Sequence, residues 1–179
     1  MKNFLLTGRP SSGKTTAIIR LVERLSNICV SGFYTRELRE GSGRVGFEAV
    51  GLSCGRQATL AHVRSKSRLR VGRYGVEPAA LISLVRAELD RPSVDVDVIV
   101  IDEIGKMELF CDEFVTAVRR LLDSPVPVLA TLAMKGGGLI ADVKARVDVR
   151  LVEVTAANRD SLPEYLEAWV RSAAAKGGM

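Results

Sequence analysis

The sequence contains little of the material from which several kinds of functional site are built. Its 179 residues include one histidine and three cysteines, and Cys29, Cys54 and Cys111 lie far apart without a Cys-x-x-Cys pair. These counts disfavour a zinc site, a histidine-based catalytic triad and a disulfide framework, and they favour reduced thiols in a cytoplasm. The single histidine, His62, is expected in a loop or at the surface.

Long hydrophobic runs are also absent. No apolar stretch approaches the length that crosses a membrane, and the apolar start of the chain ends before Gly8, which is too short for a signal peptide. We therefore expect a cytoplasmic protein with no membrane partner. The hydrophobic share of 47% predicts a packed globular domain rather than a disordered chain.

The charge balance is moderately basic. The formal net charge of +5 suits a protein that binds polyanionic nucleotides. A nucleic-acid partner is not supported, because the basic residues are scattered along the sequence and aromatic residues make up only 5% of it.

A glycine-rich stretch near the start of the chain predicts a phosphate-binding loop. It fits Gly-x-x-x-x-Gly-Lys-[Ser/Thr], the P-loop or Walker A pattern, with the residues Gly8-Arg9-Pro10-Ser11-Ser12-Gly13-Lys14-Thr15. Residues 3–7 before it suit a buried strand, and residues 16–25 after it have helical periodicity. The motif thus lies between a strand and a helix, as a functional P-loop does.

Each residue type in this loop has a physical role. Gly8 and Gly13 let the backbone turn so that successive N–H groups can point at one anion, and the following helix adds unpaired N–H donors. Lys14 can place a positive charge near the β- and γ-phosphates, and the Thr15 hydroxyl suits Mg²⁺, which prefers oxygen ligands. We expect the nucleotide to contact residues 8–16, so that Thr16 is included.

A second motif follows a strand predicted over residues 96–101, which is apolar enough to be buried on both faces. The strand is followed by Asp102 and Glu103, as in a Walker B element. Asp102 can hold Mg²⁺ opposite Thr15, and Glu103 can orient or deprotonate an attacking water.

Strands that alternate with helices predict an α/β fold of the P-loop NTPase type, with a mostly parallel central sheet and helices on both faces. A turn at Gly41-Ser42-Gly43 predicts an antiparallel hairpin beside it. Ligands bind beyond the carboxyl ends of the strands in such folds, so the two motifs should meet at one edge. We predict a monomeric single domain over residues 1–172, followed by a frayed tail over residues 173–179. Further strands are predicted at 28–35, 126–131 and 150–154, and helices at 78–89, 114–122 and 162–170.

Several stretches together carry a resemblance to a known family. They are Asp102-Glu103-Ile104-Gly105-Lys106-Met107-Glu108-Leu109, Gly32-Phe33-Tyr34-Thr35, Arg44-Val45-Gly46-Phe47, Val71-Gly72-Arg73-Tyr74-Gly75-Val76 and Asn158-Arg159-Asp160. Together they span nearly the whole chain in the expected order, and they resemble the thermophile-type nucleoside-triphosphatase family, whose human member is called cancer-related nucleoside-triphosphatase. One departure is Ser11, where many relatives have glycine.

This resemblance implies a slow Mg²⁺-dependent hydrolase of broad nucleoside-triphosphate range, which yields diphosphate and phosphate. It also implies a nucleotide-binding segment that comprises Ile99, Val100, Ile101, Asp102, Glu103, Ile104, Gly105 and Lys106. With Lys14 and Glu103, Lys106 is a candidate catalytic residue, since a second cation near the γ-phosphate could neutralise developing charge.

Four further residues are weaker candidates. Arg44 and Arg73 could contact phosphate, because arginine suits planar, bidentate contacts. Thr131, at a strand end, could sense the γ-phosphate, and Asn158 could border the base.

Three other functions remain open from the sequence. A nucleotide or small-molecule kinase would use the same P-loop under a basic lid such as residues 64–73. A regulatory GTPase would account for the Asp-x-x-Gly pattern at Asp102, although the guanine-reading Asn-Lys-x-Asp motif is missing. An RNA-associated ATPase is permitted by the basic charge. Phosphate release without an acceptor, competition between ATP and GTP, and the response of turnover to RNA would separate these functions.

Overall fold

The computed structural model describes residues 1–90 and 96–177, and their backbone forms nine strands and five α-helices. The strands are β1 (Asn3–Thr7), β2 (Val30–Glu40), β3 (Gly43–Gly51), β4 (Gln57–His62), β5 (Arg70–Val71), β6 (Tyr74–Val76), β7 (Val98–Ile104), β8 (Val128–Leu132) and β9 (Val149–Glu153). The helices are α1 (Lys14–Val22), α2 (Pro78–Val85), α3 (Asp112–Asp123), α4 (Leu139–Ala145) and α5 (Leu162–Gly177).

All nine strands belong to one sheet in the order β5-β6-β4-β3-β2-β7-β8-β1-β9. The half from β2 to β9 is parallel, whereas β3, β4, β6 and β5 pair antiparallel beyond β2. The predicted parallel α/β sheet with an antiparallel addition is therefore confirmed. The P-loop strand β1 and the acidic strand β7 lie on either side of β8, and all three strands are parallel. Both motifs therefore lie at the same carboxyl edge of the sheet.

Alternating side chains in the parallel strands divide the core into two layers. Phe4 and Leu6 pack with α1 and α5 on one face, and Leu5 packs with α2, α3 and α4 on the other face. In β7, Val98 and Val100 face the first layer, and Ile99 and Ile101 face the second. Burial on both faces explains why these strands are continuously apolar rather than alternating.

A glycine lets β2 approach β7 closely. Gly32 has φ +118°, and a Cβ at this position would lie 1.9 Å from the carbonyl oxygen of Val100. From this pairing, which ends at Phe33 opposite Ile101, β2 continues to Glu40 and forms a hairpin with β3. The hairpin thus projects beyond the carboxyl edge of the parallel sheet, where the P-loop also lies.

Several boundaries differ from the sequence predictions. Strand β7 does not end at Ile101 but continues through Asp102 and Glu103 to Ile104, with a shift in its pairing to β8. The sequence analysis missed α4, because it has only seven residues and follows three consecutive glycines. Residues 173–177, expected as a frayed tail, continue α5, and residues 178 and 179 lie outside the described part. Among the described residues, no helix has the length and apolar character needed to cross a bilayer.

Candidate active site

The P-loop backbone follows a path that larger side chains would obstruct. Gly8 has φ +152°, and a Cβ there would lie 2.7 Å from Ser12 Oγ and 2.9 Å from the carbonyl oxygen of Val154. Gly13, which precedes α1, has φ +102°. Ser11 has φ +62°, a left-handed conformation that glycine adopts with less strain. Ser11 therefore holds this position in the loop at a local conformational cost.

Lys14 begins α1, and its side chain reaches back across the loop. Its Nζ donates to the carbonyl oxygens of Gly8, at 3.2 Å, and Arg9, at 3.4 Å. These are weak contacts to neutral acceptors, so an anionic phosphate oxygen placed here would compete for the ammonium group favourably. The lysine is thus positioned over the loop that the sequence assigns to phosphate.

Asp102 is almost fully buried, and two threonines fix its carboxylate. Thr131 Oγ1 donates to Asp102 Oδ1 at 2.6 Å, whereas the hydroxyl and backbone N–H of Thr35 donate to Oδ2 at 3.2 and 3.4 Å. Thr131 is fully buried, so its hydroxyl orients Asp102 instead of facing the cavity as predicted for a γ-phosphate sensor. Sequence reasoning did not single out Thr35 as a site residue, because its contact depends on the pairing of β2 with β7.

The carboxyl groups of Glu103 and Glu108 both lie next to Gly105. A Cβ on Gly105 would be 3.0 Å from Oε2 of both Glu103 and Glu108, so only glycine leaves room for both carboxyl groups. Burial raises the pKa of Glu103, as does the negative charge of Asp102, while the charge of Lys14 opposes the shift. Burial, followed by the charges of Glu103 and Asp102, raises the pKa of Glu108 to about 8. The sequence analysis did not assign a role to Glu108.

These groups surround a cavity of about 1010 Å³ at the carboxyl edge of the sheet. The predicted site residues that line it are Gly8, Pro10, Ser11, Gly13, Lys14, Thr15, Thr16, Glu103 and Lys106. The cavity therefore joins the two motifs that lie about ninety residues apart in the sequence.

Other members of the predicted set do not line the cavity. Ile99, Val100, Ile101 and Ile104 are fully buried between the sheet and its helices. Their side chains support β7 and do not contact a ligand in the cavity. Of the predicted nucleotide-binding segment 99–106, only Glu103 and Lys106 therefore face the cavity. Arg9, Ser12, Asp102 and Gly105 do not line it either. Among these, Asp102 lies directly behind its wall, where Thr35 forms the lining.

Of the two arginine candidates, Arg44 lies at the far wall of the cavity and Arg73 does not line it. The guanidinium of Arg44 donates to the Tyr74 hydroxyl at 3.0 Å and to Glu37 at 2.7 Å, and it lies 5.0 Å from the centre of the Phe47 ring. Arg73 donates to the carbonyl oxygen of Arg44. Both arginines thus form hydrogen bonds within the antiparallel part of the sheet.

A second, smaller cleft of about 290 Å³ opens on the other side of the P-loop. Its walls include Arg20, Arg159 and Asp160, with Ser11, Gly13, Thr16 and Ala17 of the P-loop and α1. Asn158 does not line it, because its side chain holds the loop after β9 by bonds to Thr155 N and Glu153 O. The residues of this loop that do line the cleft are Arg159 and Asp160.

The donor atoms near the cavity fit a hard cation. Thr15 offers a hydroxyl in the cavity wall, and Asp102 offers a carboxylate whose direction Thr35 and Thr131 fix. Within residues 1–90 and 96–177, no cluster of three or more acidic, histidine or cysteine side chains could hold a metal alone. Mg²⁺ fits this arrangement, since it binds through one or two protein oxygens and completes its shell with water and substrate phosphate.

Comparisons with known proteins identify relatives over nearly the whole chain. Residues 3–166 match the NTPase family model. The chain is 42% identical to nucleoside-triphosphatase THEP1 of Thermofilum pendens, and the alignment covers 98% of both chains. The crystal structure of THEP1 from Aquifex aeolicus superposes with a TM-score of 0.85 at 32% identity, and covers 94% of this chain and 98% of its own.

A human relative confirms the resemblance that the sequence motifs carry. The solution structure of a human cancer-related nucleoside triphosphatase gives a TM-score of 0.82 at 36% identity. The match covers 96% of this chain and 98% of the human one. The chain therefore belongs to this family of nucleoside-triphosphatases and is an NTP-hydrolysing enzyme.

Proposed function

We propose that the chain hydrolyses nucleoside triphosphates of several bases, with Mg²⁺, to the diphosphate and inorganic phosphate. The observation that supports this proposal most directly is the cavity that Lys14, Thr15 and Glu103 line together. A phosphate-binding lysine, a cation-binding hydroxyl and a carboxylate able to act on water are the parts that phosphoanhydride hydrolysis requires.

In this proposal the P-loop holds the phosphates. Backbone N–H groups of the loop and of the first turn of α1 bind phosphate oxygens, and Lys14 transfers its contacts from the Gly8 and Arg9 carbonyl oxygens to the substrate. Thr15 and Asp102 would hold Mg²⁺, which when bound neutralises charge on the β- and γ-phosphates. Lys106, which is exposed at the cavity wall, adds a second cation near the γ-phosphate.

Glu103 is the proposed base. A carboxylate with a raised pKa accepts a proton from water more readily than an ordinary one, provided that it is ionised at the working pH. Lys14 favours that ionised form, because its positive charge acts against the effects of burial and Asp102. Glu103 thus orients the water for attack on the γ-phosphorus and takes its proton.

The smaller cleft is the proposed site of the nucleobase. Two of its polar side chains, Arg159 and Asp160, are largely exposed, with 51% and 80% of their side-chain surfaces accessible, and they are only weakly paired to each other at 3.9 Å. An exposed guanidinium can stack on any base, whereas a fixed pattern of donors and acceptors would select one. This openness supports broad base specificity.

Phosphate release from ATP, GTP, CTP and UTP, with and without Mg²⁺, tests the proposal. We expect release from all four nucleotides in the presence of Mg²⁺ and without any added acceptor. Release that requires a small-molecule acceptor would favour the kinase alternative, and strict dependence on GTP would favour a regulatory GTPase. Arg159→Ala should raise KM for all four nucleotides by a similar factor, with Arg171→Ala, in the C-terminal half of α5, as the control.

The proposed location is the cytoplasm. Cys29, Cys54 and Cys111 are all free thiols in the structure. Free thiols are the usual state in a reducing compartment, which favours that location.

A further inference from the structure

The basic residues that look scattered along the sequence are densest in one continuous segment, which forms most of the antiparallel part of the sheet. Residues 36–73, which form the outer part of β2 and the antiparallel strands up to β5, contain nine of the 26 cationic residues and only three of the 21 acidic ones. The other 141 residues contain 17 cationic and 18 acidic residues, so their formal charge is close to zero. The antiparallel part of the sheet therefore carries the whole positive surplus of the protein.

The three acids of this segment are already paired with arginines inside it. Glu37 pairs with Arg39 and Arg44, Glu40 pairs with Arg64, and Glu48 pairs with Arg36. The remaining cations have no acidic side chain within 4 Å among the described residues; they are Arg56, Lys66, Arg68, Arg70 and Arg73. Four of these five lie in residues 64–73, which we call the basic loop.

The basic loop has a defined conformation that presents its cations outward. Ser65 Oγ donates to the Glu77 carboxylate at 2.5 Å and accepts the N–H of Ser67 at 3.0 Å. Ser67 Oγ accepts the N–H of Leu69 at 3.2 Å. Ser65 also packs on Gly75, where a Cβ would lie 2.6 Å from its hydroxyl. The serines are thus turned inward, and the alternating residues Lys66 and Arg68 are exposed.

The basic loop is continuous with the wall of the active-site cavity. Val71 lines the cavity, and Arg73 donates to the backbone of Arg44, which also lines it. Lys106, which also lines the cavity, adds a further positive charge to its wall. A polyanion bound to the loop would therefore lie beside the mouth of the nucleotide site.

The chemistry of this surface favours a nucleic-acid backbone over a membrane or a protein. Leu69, 42% exposed, is the one large hydrophobic side chain exposed in residues 36–73, all of which the structure describes. Membrane-bound helices and protein interfaces both depend on larger apolar contacts. Phe47 and Tyr74 pack on each other at 5.1 Å beneath Arg44, and they are the aromatic residues of the segment 36–74, so this segment offers no exposed ring to stack on bases. Contacts to phosphate alone bind nucleic acid without regard to sequence.

We propose that the basic loop, residues 64–73, binds the phosphodiester backbone of a nucleic acid next to the active-site cavity. The binding is independent of base sequence and depends strongly on salt. This surface is separate from the P-loop, so the proposal stands apart from the hydrolytic function.

Fluorescence anisotropy with a labelled 20-nucleotide RNA of mixed sequence, and with the DNA of the same sequence, tests this proposal. We expect micromolar binding at 50 mM salt, as is common for non-specific complexes, and an affinity that falls steeply by 200 mM salt. Saturating ADP with Mg²⁺ should leave the affinity unchanged. Displacement of the RNA by the nucleotide would place it in the P-loop cavity and overturn the proposal.

The double variant Lys66→Gln and Arg68→Gln removes two exposed charges whose side chains make no hydrogen bond within the described residues. We expect affinity to fall about tenfold at 50 mM salt and the slope of log K against log salt to decrease by about 1.4, since each phosphate contact on a single strand contributes about 0.7. The matched control, Arg86→Gln with Arg119→Gln, removes the same charge from α3 and the end of α2. An equal loss in this control would show that net charge alone is responsible and would contradict a binding loop.

Two further probes separate the possible partners. Vesicles of phosphatidylcholine with 30% phosphatidylserine and poly-glutamate should bind more weakly than RNA at the same salt concentration. Tighter binding to either probe, or no binding of RNA or DNA at 100 μM protein, would overturn the proposal. Unchanged phosphate release by the double variant would verify that it is folded.

Discussion

Replacing Glu108 by glutamine should change the stability of the protein in a way that depends on pH. Relative to wild type, the variant should be more stable at pH 8 than it is at pH 5. Glu108 is only 5% exposed and lies near Glu103 and Asp102, and its pKa is raised to about 8 from the ordinary 4.5. Between these values the unfolded chain loses this proton while the folded protein retains it. Stability must therefore fall as the pH rises through this range.

The expected size follows from the range of the shift. One pKa unit corresponds to about 1.4 kcal/mol, so the three units between pH 5 and pH 8 give an upper limit of about 4 kcal/mol. Glutamine has nearly the same shape and does not ionise, so it removes this dependence. The free energy of unfolding of Glu108→Gln, relative to wild type, should increase by about 1–4 kcal/mol from pH 5 to pH 8.

Urea denaturation of the nucleotide-free protein at several pH values measures this difference directly. The control is Glu23→Gln, because Glu23 is exposed at the end of α1, and its curve should run parallel to that of the wild type. If the unfolding free energy of Glu108→Gln also ran parallel to that of the wild type across this pH range, Glu108 would be ionised in the folded protein. That result would refute the raised pKa on which the prediction depends.

Three other substitutions test the frame of the site. Lys14→Ala should weaken nucleotide binding, measured by calorimetry, about 10- to 100-fold, because charge-assisted hydrogen bonds contribute about 1.5–3 kcal/mol; unchanged affinity would remove Lys14 from the phosphate site. Gly32→Ala should lower the unfolding free energy by about 3 kcal/mol or more, because its Cβ would overlap the Val100 carbonyl oxygen at 1.9 Å. Gly43→Ala, whose Cβ meets only ordinary contact, is the control, and equal effects would contradict the close approach of β2 and β7. Thr131→Val should cost about 1–3 kcal/mol in urea denaturation, because one oxygen of buried Asp102 loses its donor; a neutral effect would show that this bond does not hold Asp102.

The parts of the site that sequence could predict are those set by local chemistry. The P-loop pattern depends on glycines and a lysine at fixed spacing, and the buried strands appear as continuous apolar runs. The strand, loop and helix over residues 3–22 and the buried strands were therefore predicted correctly. Placing Asp102 and Lys14 at one edge required only the rule that parallel strands present their carboxyl ends together.

The parts that could not be predicted depend on distant pairing. Thr35 reaches Asp102 only because β2 pairs with β7 in one register, and nothing near Thr35 in the sequence signals this contact. Thr131 and Asn158 were correctly placed at loop or strand ends, but their side chains bond to the protein itself. The basic loop was visible as a run of arginines, but its relation to the cavity follows from the antiparallel strands around it.

The most direct test of the central claim is the chemical state of the nucleotide bound to Glu103→Gln. The variant is mixed with Mg²⁺ and labelled ATP, separated from free nucleotide, and analysed for bound triphosphate and diphosphate. The account predicts that ATP binds with near wild-type affinity and remains intact, with turnover reduced about 100- to 10,000-fold, because the group that takes the proton from water is lost. Bound diphosphate formed at the wild-type rate would show that Glu103 is not the base and that hydrolysis in this cavity depends on another group.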